Sequence, residues 1–182
     1  MTMILKEKEI NYHKLKRLIG EPIKSDLKSL KVIGTTSFFL KTFKNKKDSN
    51  DSLKIDSKNN FELFENGLLL RSNLSNKISA IPIPVNDLLR IKLIRGKEMI
   101  NPFPLSPMWI LLKLGVSILY ARYFQIYKFN EYRIEEMKLI IETIDYGMEM
   151  IENSYKFESQ QRFFENLNYK DKITIDLNKA SC

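Results

Sequence analysis

The stretch FELFENGLLLRS, residues 61 to 72, constrains the fold more than any other part of the chain. Phe61, Leu63 and Glu65 alternate with Glu62 and Phe64, the period of two that belongs to strands. Asn66-Gly67 follows, the strongest short-range signal of a hairpin, because both turn positions need residues that tolerate positive φ. Leu68 to Arg71 then lead out as the return strand. An antiparallel pair is set down locally, and the remaining chain must cover one of its faces.

Further strands are expected on either side. TTSFFLKTF, residues 35–43, is rich in β-branched and aromatic residues. Residues 44–60 are polar apart from Leu53 and Ile55 and read as a long loop. In ISAIPIPV, residues 78–85, Pro82 and Pro84 remove two N–H donors from one side of the strand, which places it at a sheet edge or a kink. In residues 86–98, Leu89, Ile91 and Leu93 alternate with Arg90 and Lys92, as in a half-buried strand. NPFPLSP, residues 101–107, is an irregular loop. From Trp109 to Phe129 the aromatic and branched content favours strands, with a helix left open by the pattern. The most apolar run, Met108 to Tyr120, contains Lys113 and is too short for the ~20 apolar residues of a spanning helix, so it reads as buried core.

Helices are expected at both ends. Residues 5–30 read as mostly helical, with Tyr12, Leu15, Leu18 and Ile19 on one face, a stop at Gly20-Glu21-Pro22 and a shorter helix from Asp26 to Leu30. Ile134, Met137, Ile141, Ile144, Met148, Ile151 and Tyr155 recur at spacings of three and four, which predicts an amphipathic helix over 131–153. Its rival is a hairpin around Asp145–Gly147. In a two-helix pairing, Met137 and Ile144 would instead form a seam with a second copy. Residues 157–167 read as a further short helix, and the tail from Tyr169 is polar apart from Ile173-Thr174-Ile175.

Charge is unevenly spread. Residues 1–60 carry 14 basic and 7 acidic side chains, whereas residues 131–182 carry 7 and 11. A basic front suits an anionic partner, although a lysine-rich composition alone produces the same count. The one cysteine, Cys182, allows no internal disulfide, and the N-terminus lacks the apolar core of a signal peptide. Together with the lack of a spanning segment, this gives a cytoplasmic expectation.

The motifs FELFENGLLLRS and KISAIPIPVNDLLRIKLIRGK together resemble bacterial members of the pleckstrin-homology superfold. The likeness implies an α+β fold: an antiparallel barrel or meander of about seven strands, closed by the helix over 131–153 and preceded by an N-terminal helix. The domains would be a helical extension (1–34), the PH-like body (35–153) and a C-terminal helix and tail (154–182). It also implies a basic mouth for an anionic head group, built from Lys41, Lys44, Lys46, Lys47 and Arg71. Independently, Arg90, Lys92, Arg95 and Lys97 beside the proline-marked edge offer a partner-binding edge. Tyr120, Tyr123, Phe124 and Tyr127 interleave with Arg122 and Lys128, which suits base stacking but equally suits core.

Catalysis finds little support. His13 is the only histidine, and it lies on the polar part of the first helix. One histidine and one cysteine exclude the usual zinc sets, and no glycine-rich phosphate loop occurs. No cofactor or metal is implied. The sequence therefore points to a non-enzymatic binding module for a protein partner or an anionic membrane surface, with a nucleic-acid-binding accessory protein as the alternative.

Overall fold

The computed structural model describes residues 4–23, 34–46, 53–75 and 77–177. A two-residue strand β1 (Leu5–Lys6) leads to helix α1 (Tyr12–Ile19). Asn11 caps the helix by accepting the His13 N–H, and Gly20 ends it at φ 85°. The expected helix over 5–30 is thus shorter and starts later, and the helix proposed for Asp26 to Leu30 lies outside the described residues. Leu15 and Ile19 of the predicted face are buried, while Tyr12 is exposed.

Strands β2 (Phe38–Asn45), β3 (Lys58–Phe64), β4 (Gly67–Leu74), β5 (Lys77–Pro84) and β6 (Leu88–Ile94) follow. The loop expected over 44–60 is shortened at both ends by β2 and β3. The opening hairpin forms as expected, but its turn is Glu65-Asn66, with Phe64 paired to Gly67. Neither Asn66 nor Gly67 has a positive φ. Gly67 serves a different purpose: a Cβ there would lie 2.3 Å from the Ile83 carbonyl oxygen, so the close approach of β5 requires a glycine.

After β7 (Glu98–Ile100) the chain makes an excursion containing α2 (Pro107–Lys113) and α3 (Ile118–Ala121) and returns as β8 (Tyr132–Ile134), which pairs with β7. Strands β9 (Met137–Thr143) and β10 (Tyr146–Glu152), helix α4 (Phe157–Glu165) and strand β11 (Ile173–Asp176) complete the order.

The helix expected over 131–153 is therefore a β-hairpin preceded by β8. Met137, Leu139 and Ile141 face the core from β9, and Tyr146, Met148 and Met150 face it from β10. The helical pattern had placed Ile144 inward, yet it sits in the turn and is 51% exposed. Thr143 fastens that turn, accepting the Tyr146 N–H and donating to the Tyr146 carbonyl.

The main sheet has the order β1-β5-β4-β3-β2-β10-β9-β6-β11, antiparallel except for the parallel pair β6–β11. Strands β5 and β6 are joined by residues 85–87 alone, yet they stand far apart in this order. The sheet must roll until they approach, but they do not pair, so it is an open roll and not a closed barrel. One core runs through it, from Leu68, Leu70 and Ile81 on one half to Ile91, Leu93 and Leu139 on the other. The helix that packs into this core is α4, whose Phe164 ring meets Phe61 edge-on at 6.3 Å. Outside the roll, Leu15 and Ile19 cover Leu69 and Ala80.

One side of β5 pairs with β4 throughout; among the described residues the other side pairs with β1 only at Ser79 and Ala80, short of Pro82 and Pro84, in keeping with the edge expected there. In β6 a register shift between Leu88 and Arg90 turns Leu88 inward and leaves Leu89, expected inside, exposed.

Candidate docking surface

The basic residues expected to form one mouth do not converge. Arg71 pairs in register with Asn60, while β2 meets β3 only at Phe38 and Phe39. Arg71 therefore lies level with position 37, just before β2, and Lys44 stands seven residues further on, roughly 23 Å at ~3.3 Å per residue. The Arg71 Nε donates to Glu62 at 2.6 Å, and Lys41 is 3.4 Å from Asp56. Lys46 donates from Nζ to the Thr143 carbonyl at 2.5 Å, so it fastens β2 to the β9–β10 turn. Lys44 is exposed opposite Gly147. Lys47 lies outside the described residues.

The second basic group does not line an open edge. Strand β6 is paired with β9 on one side and β11 on the other, so its backbone is closed to an added strand along Ile91–Ile94. Lys92 is 3.6 Å from Asp176. Arg95 reaches Glu98 at 2.5 Å and lies 5.9 Å from the centre of the Phe157 ring. Arg90 and Lys97 are exposed at the two ends of this segment. Ile173-Thr174-Ile175, the apolar exception in the polar tail, supplies the strand that closes it.

The third group gives a different result. The excursion over residues 101–131, hereafter the lobe, was expected to be core from Met108 to Tyr120, and it is largely outside. Its helices start at identifiable caps. The Ser106 hydroxyl accepts the Trp109 N–H with Pro107 at the first helical position, and Ser117 accepts the Leu119 N–H. These Ser caps were the sequence signal for helices that the aromatic content concealed. Met108 and Ala121 of the lobe form a small buried cluster with Tyr132 of β8.

Eleven of the twenty large apolar side chains exposed among the described residues fall within residues 103–129, which makes this a contiguous stretch of sequence, not a scatter. Leu105, Leu114, Tyr123 and Tyr127 are each more than 70% exposed, and Tyr120 and Phe124 are exposed as well. Phe103 and Phe129 stack at 4.2 Å between ring centres, which ties the start of the lobe to its end. Between Glu98 and Glu131 there is no acidic residue, and the charged side chains are Lys113, Arg122 and Lys128. That gap in acidic residues was legible in the sequence.

The cations lie against rings. Lys113 Nζ is 5.6 Å from the Trp109 ring centre. The Arg122 guanidinium lies 5.3 Å from Tyr123 and 5.7 Å from both Tyr132 and Tyr155, and it donates to the Tyr132 hydroxyl at 3.3 Å. Arg122 thus ties the lobe to β8 and to the turn before α4.

Glu131 holds the base of the lobe. Its carboxylate is wholly buried and accepts from the Phe103 N–H at 2.8 Å, the Ile126 N–H at 2.5 Å and the Ser106 hydroxyl. One side chain therefore binds the start of the lobe to its end. Burial works against the charge, but the Ser106 hydroxyl and the two backbone donors outweigh it and hold the carboxyl below the ordinary glutamate range.

No helix among the described residues is long and apolar enough to cross a membrane. Comparison with protein-family models, with curated proteins and with solved structures finds no match to this chain.

Proposed function

We propose that this protein is a non-enzymatic binding module of the cytoplasm, and that the lobe is its docking face. The observation that carries this reading is the concentration of exposed apolar side chains on one excursion fixed by a buried carboxylate. Apolar surface of this kind on a folded domain marks an interaction site. The rolled sheet serves as the rigid base that presents it. A pleckstrin-homology likeness fits this role by analogy only, and the docking reading stands without it.

The test is amide exchange on the intact protein, mixed in turn with the membrane fraction and the soluble fraction of its native cells. Slower exchange across 103–129 in either fraction is expected, and it should vanish in a Leu105→Ser/Tyr123→Ser/Tyr127→Ser variant. Protection confined to the region of Lys41, Lys44 and Arg71 would restore the basic mouth and dismiss the lobe.

Nucleic acid is the second reading, favoured by Arg122 among tyrosines. Three cations in the lobe provide few phosphate contacts. A salt-titrated shift assay with single-stranded DNA and RNA decides it.

A further inference from the structure

Building on the docking reading, we infer that the lobe's partner is the interfacial layer of a bilayer containing anionic lipid. Three features of the lobe select this surface over a protein groove.

The first is charge. Between Glu98 and Glu131 no carboxylate interrupts the sequence that carries Lys113, Arg122 and Lys128, and Glu131 itself is buried at the base of the lobe. An anionic leaflet attracts such a segment wherever it lands, with no demand for a fixed pattern of partner groups. The second is side-chain type. Trp109, Tyr120, Tyr123 and Tyr127 combine a ring with a polar tip, the residues that settle at the level of lipid head groups. The Lys113 ammonium already lies against the face of Trp109, a pairing of cation and ring that suits the head-group level.

The third is backbone satisfaction. A segment entering a poorly hydrated layer must satisfy its own N–H groups. Here the irregular backbone at Phe103 and Ile126 donates to Glu131, and the starts of α2 and α3 donate to Ser106 and Ser117. The seven residues of α2 extend only about 10 Å at 1.5 Å per residue, so the lobe lies in the interface and does not cross it.

Trp109 is the only tryptophan, so its emission reports on the lobe alone. The experiment titrates the intact protein with vesicles of phosphatidylcholine, and with vesicles in which part of this lipid is replaced by phosphatidylglycerol. Glycerol phosphate in solution separates a membrane from a free head group. The expected result is a blue shift and quenching by brominated acyl chains with the anionic vesicles. Zwitterionic vesicles should bind about tenfold more weakly or worse, and glycerol phosphate should have no effect. Lys113→Glu/Lys128→Glu should remove the anionic preference. Leu105→Ser/Tyr123→Ser/Tyr127→Ser, with an unchanged circular dichroism spectrum, should remove binding.

No shift with anionic vesicles overturns the inference, as does equal binding by the serine variant. If vesicles fail while the soluble cell fraction still protects 103–129, the partner is a protein and the docking reading survives. If both fail, both readings fall. A concentration-dependent shift without lipid, matched by a doubled mass in sedimentation, would assign the face to a second copy and overturn the lipid partner.

Discussion

Glu131 shows how one side chain can govern a whole surface. Removing its carboxylate in Glu131→Ala leaves two backbone donors and a hydroxyl without partners in a buried site, a loss of about 1–3 kcal/mol. The variant should exchange its amides at Phe103 and Ile126 faster than the parent. The pH dependence follows from the direction of the shift. A carboxyl held below its ordinary range stabilises the folded lobe fully above that range, and the contribution is lost as pH falls through the lower folded value. Trp109 emission should therefore change on the acid side of the ordinary glutamate range, and in Glu131→Gln that limb should disappear. Gly67 offers a second test at this scale. Gly→Ala inside a strand normally stabilises by about 0.5–1 kcal/mol. Here the added Cβ would meet the Ile83 carbonyl at 2.3 Å, so the sign should reverse, read as a lower urea midpoint.

At the scale of elements, the β9–β10 hairpin separates two readings of one pattern. Met137, Ile141, Met148 and Ile151 satisfy helical spacing and are all buried in the strands as well. Among the residues that differ are Leu139, Tyr146 and Met150, off the helical stripe yet buried, and Ile144, on the stripe yet exposed. Met150→Ala should cost about 2–5 kcal/mol in chemical denaturation. Ile144→Asp should stay within about 0.5 kcal/mol of the parent. The reverse order would restore a helix. This ambiguity explains what the sequence made legible. The hairpin at 61–72 could be read because alternation and turn residues lie within one local window, although the glycine's role could not, since it depends on β5. The strand β11 could not be read, because its pairing with β6 joins residues some eighty positions apart. In the lobe, apolar residues such as Leu114 and Tyr120 suggest core, yet periodicity alone carries no information about which of them stay outside. Its interleaved tyrosines and cations show in the sequence, but Glu131, which fastens Phe103, Ser106 and Ile126, carries no local signature.

At the scale of the molecule, body and lobe are separable by construction. Ile100 and Tyr132 are cross-strand partners, so the two ends of the excursion meet. Cross-strand Cα atoms lie ~5 Å apart, a gap that a two-residue turn closes. Replacing 101–131 by Asn-Gly should leave a cooperative thermal transition, because the main core lies in the roll and α4, and should abolish lobe-dependent docking. A melt without a cooperative transition would show that the excursion also supports the roll.

The strand order has a consequence for biogenesis. The meander β3–β4–β5 can assemble soon after it leaves the ribosome, since its partners are neighbours in the chain. Strand β2 must wait for β10, with Phe39 joined to Ile151, and such distant pairing is slow. The lobe is translated in that interval, ahead of the strands that complete its base. A nascent chain therefore displays its stickiest segment while its scaffold is half built, and chaperone demand should peak there.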